Sequence, residues 1–183
     1  MNLEALPEEA LKEILALTEA KKRLELREEA TEKFMPFAHH VYENFIEGQH
    51  HRVIAEKLER VARGEIKRLI INMPPRHSKS EFASFLMPAW FLGRNPKLKI
   101  IQATHNTELA VRFGRKVRDL IDDPAYKEIF PETNLKEDNK GAGKWGTTAG
   151  AEYFAAGVGA AITGRGADLL IIDDPHSEQD ALS

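Results

Sequence analysis

Two short stretches of this chain carry residue types able to handle a triphosphate. The first, Met73-Pro74-Pro75-Arg76-His77-Ser78-Lys79-Ser80, follows the apolar run Leu69-Ile70-Ile71 and delivers a Lys-Ser pair to the start of a predicted helix. Successive backbone N–H groups from His77 through Ser80 can point at phosphate oxygens where that helix begins, while Pro74 and Pro75 fix the approach without wasting a donor. In such a cradle Lys79 would neutralise the β and γ phosphates, the Ser80 hydroxyl would complete magnesium coordination, and Arg76 adds a cation within reach of the γ phosphate. Pro75, Arg76, His77, Ser78, Lys79 and Ser80 are therefore the nucleotide-binding candidates. Against the usual pattern G-x-x-x-x-G-K-[ST], Met73 and Ser78 stand where the two glycines belong. On spacing alone, a surface turn with ordinary basic residues accounts for the stretch as well as a phosphate loop does.

The second stretch, Leu169-Leu170-Ile171-Ile172-Asp173-Asp174, reads as an apolar strand ending in two carboxylates. Asp173, directly after the apolar run, is placed to hold Mg2+ through water, and Asp174 is the candidate to orient or deprotonate an attacking water. The other reading is an Asp-Asp-Pro turn that caps the next segment. Each stretch is weak alone; in order, they supply what ATP hydrolysis needs, a cradle, a magnesium carboxylate and a base.

Arg165 lies in Ile162-Thr163-Gly164-Arg165-Gly166, a glycine-flanked loop just before the second strand. Arginine stabilises charge developing on a transferring phosphoryl group; simple pairing with a surface carboxylate is equally open to it. His39-His40 and His50-His51 invite a metal reading. Adjacent histidines on a helix point in different directions, however, and no acidic or cysteine partner stands at ligand spacing. A structural role, or contact of Gln49, His50 or His51 with the nucleotide base, is preferred.

The elements that must position these residues follow from periodicity. Leu3 to Phe34 is glycine-free and rich in Glu, Lys, Leu and Ala, with Leu3, Leu6, Ala10, Ile14 and Leu17 at helical spacing; Met35-Pro36-Phe37 breaks the pattern. A helix is predicted over Val53 to Ala62 with Gly64 as its stop, then a strand over Ile66 to Asn72. A mostly buried helix after Lys79, bent or ended near Pro88 and closed by Gly93, leads to a strand at Leu98 to Ala103. Thr104 or Asn106 can cap a helix from Thr107 to about Ile121, with core face Leu109, Phe113, Val117 and Leu120, terminated by Pro124. An irregular excursion over 122–139, a loose hairpin over 144–156 and a Gly-rich link complete the path to the strand at 168–172. Strands near 66, 98 and 169 alternating with helices predict an α/β fold with a mostly parallel sheet, whose ligands sit at the strands' carboxyl ends.

Size and composition agree with one sizeable core: 183 residues, 42% hydrophobic and 30% charged. No apolar run approaches the roughly 20 residues of a membrane helix, and the Glu-rich N-terminus lacks a signal peptide's basic start and apolar centre. With no cysteine, disulfides and thiolate metal sites are excluded, and a cytoplasmic location is expected. The net charge of −3 sits in residues 1–33, which hold nine Glu against six Lys and Arg, leaving 20 of each sign elsewhere. A neutral body offers no global basic field, so any contact with DNA would use local patches.

Taken in order, Ile71 to Ser80, Gln102-Ala103-Thr104-His105-Asn106-Thr107-Glu108-Leu109-Ala110, Lys144-Trp145 with Gly157-Val158-Gly159, and Ile162-Thr163-Gly164-Arg165-Gly166-Ala167-Asp168 into Ile172-Asp173-Asp174-Pro175 resemble the large terminase subunit of tailed bacteriophages and prophages over roughly residues 34–183. The resemblance implies an additional-strand P-loop ATPase, part of the motor that pumps double-stranded DNA into a procapsid, working as a homo-oligomeric ring with the small terminase subunit and the portal protein in the bacterial cytoplasm. It implies residues 1–35 as an N-terminal helical segment and 36–183 as a partial ATPase domain, incomplete at its C-terminus and without the nuclease domain.

Carried over residue by residue, Arg76 acts beside the Walker lysine, Lys79, and Arg165 matches an arginine that in some members reaches a neighbouring subunit's nucleotide. Asp-Asp stands where many terminases have Asp-Glu, so Asp174 has a shorter reach as base. ATP and Mg2+ are the implied cofactors. A truncated prophage remnant that binds nucleotide without turnover, and another P-loop DNA translocase or helicase, are the competing expectations.

Overall fold

The computed structural model describes residues 7–160, 162 and 164–176. Three helices come first: α1 over Glu8–Glu32, α2 over Phe34–Val41 and α3 over Gln49–Ala62. Where the sequence predicts a break at Met35-Pro36-Phe37, the chain instead breaks one step earlier, at Lys33, which is extended. Pro36 then falls in the first turn of α2, where a missing N–H costs nothing. Phe34 and Phe37 are fully buried, Phe34 edge-on to Phe82 and Trp90 at 5.3 and 5.5 Å, so α2 is pinned into the main core. The first half of α1 is unpacked, with Leu15 and Leu17 more than half exposed; Leu3 and Leu6, predicted to share its face, lie outside the described residues.

After α3, Gly64 adopts φ +75, as a helix stop requires. The predicted strand Ile66 to Asn72 does not form. The segment has a strand's alternation, with Leu69, Ile71 and Met73 packed on the core and Ile70 85% exposed, but among the described residues it joins no ladder. Periodicity reports which side chains face inward; it does not report whether another backbone lies alongside.

Helical structure resumes at Lys79. It passes through a π-helical turn, Glu81–Leu86, into α4, Met87–Arg94. The widened turn lies immediately before Pro88, whose ring crowds the preceding turn and removes one hydrogen bond, so the predicted bend takes the form of a register change. Then come β1 (Lys99–Thr104), α5 (Thr107–Ile121), α6 (Pro124–Ile129), β2 (Leu135–Lys140), β3 (Lys144–Thr147), β4 (Glu152–Gly157) and β5 (Leu169–Asp173). The Asn106 side chain accepts from the Leu109 N–H at 2.8 Å, capping α5 as its sequence predicts. The excursion expected over 122–139 is more regular than that, holding α6 and β2.

The five strands are ordered β2-β3-β4-β1-β5. β1 pairs parallel with both β4 and β5, whereas β2–β3 and β3–β4 are antiparallel, so the fold is α/β with a mixed sheet and not the mostly parallel one expected. The core draws on one sheet face, including Ile100, Tyr153, Ala155 and Trp145, under α5 and the helices around it. Gly114 lets α5 approach closely, since a Cβ there would lie 2.7 Å from the Ala142 carbonyl and 3.1 Å from Tyr153.

Register places Ile101, Ala103, Phe154, Ala156, Leu170 and Ile172 on the opposite face. Ile101, Ala103 and Ala156 are buried there, whereas at the β5 edge of the same face Leu170 and Ile172 stay open, 57% and 58% exposed. Arg165, in the β4–β5 connection, lies over Phe154 on this side. No helix among the described residues is long and apolar enough to cross a membrane.

Candidate functional site

The two sequence stretches meet. β5 ends at Asp173, opposite Thr104 at the end of β1, and the helix that begins at Lys79 starts beside it. Lys79 Nζ lies 3.4 Å from Asp173 Oδ1 and 2.5 Å from Asp174 Oδ1. Residues nearly a hundred positions apart are thus joined at the carboxyl edge of the sheet, where α/β folds place their ligands.

Asp173 is only 7% exposed, and its second oxygen, Oδ2, accepts a hydrogen bond from Ser84 Oγ at 2.8 Å. Ser84 is fully buried in the π-helical turn, and it is a site residue that the sequence reading omits. The signal available was faint: a single hydroxyl inside the apolar run Phe82-Ala83-Ser84-Phe85-Leu86.

Asp174 is held by its backbone. Its carbonyl accepts from the His105 N–H at 3.1 Å, and its φ of 43 is left-handed, a conformation Asp tolerates better than most residues. That turn of the chain is what aims its carboxylate back at Lys79. Burial opposes the charge on Lys79, but the hydrogen bond with Asp174 and the charge of Asp173 outweigh it, and the lysine pKa rises above its ordinary value. Lys79 is a committed cation.

In the preceding loop Arg76 and Ser78 also adopt positive φ, 63 and 62, at positions where neither is glycine. Ser78 stands where the usual pattern has its second glycine, so the left-handed conformation is kept although the glycine is not. Arg76 is exposed and forms no ion pair among the described residues. His77 Nδ1 bonds to the Pro75 carbonyl at 2.8 Å, closing the loop on itself. Ser80, one residue into the helix, has a half-buried side chain.

The N-terminus of α3 packs beside this loop. His50 and His77 rings are 5.8 Å apart, His50 and His51 3.9 Å, and His51 stacks on Phe82 at 4.9 Å. The Gly48 N–H donates to His51 Nδ1 at 2.9 Å, which fixes the neutral tautomer with its proton on Nε2. That Nε2 is buried and has no hydrogen-bond partner among the described residues, nor has His50 Nε2. Burial, followed by the charge of His50, pushes the His51 pKa below the ordinary imidazole value. Gln49 is exposed, and it is His50 that meets the loop.

Arg165 is not brought to this cluster. Its guanidinium lies 4.1 Å over the Phe154 ring on the open sheet face, in a depression lined also by Lys99, Ile101 and Glu152. Phe154 stands opposite Ile101, and Lys99 and Glu152 begin their strands, whereas Asp173 is level with the last residue of β1. Thr163, part of the same loop motif, lies outside the described residues.

A hard, oxygen-only donor set of Asp173 and Ser80 is chemically suited to Mg2+, which keeps waters and takes much of its shell from substrate phosphates. No group of three or more His, Asp or Glu gathers to hold a metal among the described residues. Comparison with protein-family models, with curated proteins and with solved structures finds no match.

Proposed function

We propose that this chain binds ATP with Mg2+ at the Lys79–Asp173–Asp174 corner and hydrolyses it as the motor part of a DNA-packaging ATPase of the terminase large-subunit kind, with a P-loop NTPase architecture. The observation that carries the nucleotide reading is the convergence of two sequence-distant motifs on one lysine, with distances of 2.5 and 3.4 Å to the paired aspartates. An Asp-Asp-Pro turn or a basic surface turn would have no reason to meet.

In this reading Lys79 leaves the aspartates for the β and γ phosphates, a charge exchange that keeps the cation paired throughout. The backbone of His77 to Ser80 cradles the phosphates, and Arg76, exposed and without an ion pair among the described residues, is available to the γ phosphate. Ser80 and Asp173 would hold Mg2+, which when bound would neutralise charge on the phosphate oxygens. Asp174, released from Lys79, takes the proton of the attacking water or orients it. The Nε2–H of His51, or the exposed Gln49 side chain, supplies a donor for the nucleobase.

Arg165 lies beside the first residues of β1 and β4, at the other end of the sheet from Lys79, which suits an arginine acting on a neighbouring copy in a ring. Double-stranded DNA, a small terminase subunit and a portal protein would be the partners in a host cytoplasm. The test is steady-state ATP hydrolysis with and without double-stranded DNA. Turnover lost in Lys79→Ala and Asp173→Ala supports the reading. Turnover that survives both, or that responds only to single-stranded DNA with strand separation, contradicts it.

A further inference from the structure

The geometry points to Ser84 as the positioning residue for the magnesium carboxylate, an inference that rests on the nucleotide-site reading above. A helical serine or threonine ordinarily returns its hydroxyl to the carbonyl one turn back, as Thr18 does to Ile14 at 2.7 Å in α1. Ser84 does not. Its hydroxyl, fully buried, donates at 2.8 Å to Asp173 Oδ2, a residue 89 positions away that is itself 7% exposed.

The π-helical turn makes this possible. Widening the helix over Glu81–Leu86, with the Met87 N–H reaching back to the Phe82 carbonyl, changes the direction in which its side chains point relative to a regular helix. Phe82, Phe85 and Leu86 still reach the core, and the one hydroxyl among them points at β5.

The consequence is a division of labour between the two oxygens of Asp173. Oδ2 is committed to Ser84, which fixes the carboxylate's rotation, and Oδ1, 3.4 Å from Lys79 Nζ, is the oxygen left for a metal. A carboxylate held by a buried hydroxyl does not have to be reoriented when the metal arrives, the usual benefit of an outer-shell hydrogen bond. The same bond ties the helix that begins at Lys79 to the strand that ends at Asp173, so the cradle and the metal ligand move together.

The experiment is calorimetric ATP binding with Mg2+ and again with EDTA, for wild type, Ser84→Ala, Asp173→Asn and the double variant, beside a thermal melt of each. For Ser84→Ala, affinity in EDTA should stay within about twofold of wild type, while the gain that Mg2+ confers should shrink about tenfold, the scale of a lost charge-assisted hydrogen bond. In the Asp173→Asn background the Ser84→Ala change should add nothing.

Equal losses with and without Mg2+, or an undiminished Mg2+ gain in Ser84→Ala, overturn the inference while leaving the nucleotide reading intact. A folded wild type that binds ATP in neither condition overturns both. Should Ser84→Ala melt too early to titrate, Ser84→Cys keeps the volume and weakens the donor, and the same loss of Mg2+ gain is expected from it.

Discussion

The two ends of β5 are built for different kinds of work. At its carboxyl end Asp173 is buried, bonded to Ser84 and paired with Lys79, so these polar groups are oriented within one chain. At its amino end Arg165 is exposed and stacked on Phe154, and among the described residues it meets no group of the Lys79 corner. The first end is preorganised; the second offers a cation outward. If both serve one reaction, the first acts on nucleotide bound to its own chain and the second on nucleotide held by a neighbour.

The largest expected effect removes the preorganised end. Asp173→Ala should reduce ATP turnover on the order of a thousandfold while the chain stays folded, because charge stabilisation at the transferring group is among the largest catalytic terms. Turnover within tenfold of wild type would show that β5 ends in a mere turn.

Next in size is an effect of opposite sign on binding. Because Asp174 occupies Lys79 at 2.5 Å before nucleotide arrives, Asp174→Asn should tighten ATP binding about tenfold, roughly 1.4 kcal/mol, and still slow hydrolysis. Unchanged affinity would mean that the aspartate does not compete with phosphate. At the other end of the strand, Arg165→Ala should leave monomer affinity within about twofold and lower turnover only where subunits assemble. Loss of binding in the monomer would collapse the contrast between the two ends.

The smallest effect is on pH. His51 is neutral in the fold and its pKa is depressed, so below the free imidazole value of about 6.5 the unfolded chain binds a proton that the folded chain refuses. Stability should therefore fall as pH drops from 7 toward 5, and His51→Phe should flatten that slope in urea titrations. A wild-type slope retained in the variant would assign the titration elsewhere.

Much of this site was legible in the residues themselves, for definite reasons. Lys79, Asp173 and Asp174, which the structure brings together, stood out because both stretches sit where an apolar run ends and carry the few residue types that phosphate and metal chemistry would accept. Asn106 announced α5 because a cap is a local bond that depends only on near neighbours.

What failed depended on distant chain. Ile66 to Asn72 carries a strand's alternation without a paired backbone, and the antiparallel β2–β3–β4 portion is set by hairpin geometry that alternation with helices does not encode. Ser84 was invisible because its meaning lies entirely in a partner 89 residues away, reached through a π turn that no propensity scale anticipates.

The central claim is that the loop around Lys79 is a phosphate cradle despite lacking both glycines of the usual pattern. Calorimetric titration of the chain with ATP and Mg2+, run beside Lys79→Ala, tests it most directly. The account predicts binding by the wild-type chain and loss of at least a hundredfold in the variant, about 2.7 kcal/mol, with an unchanged melting profile. Equal binding by both, or none by a folded wild-type chain, would contradict it.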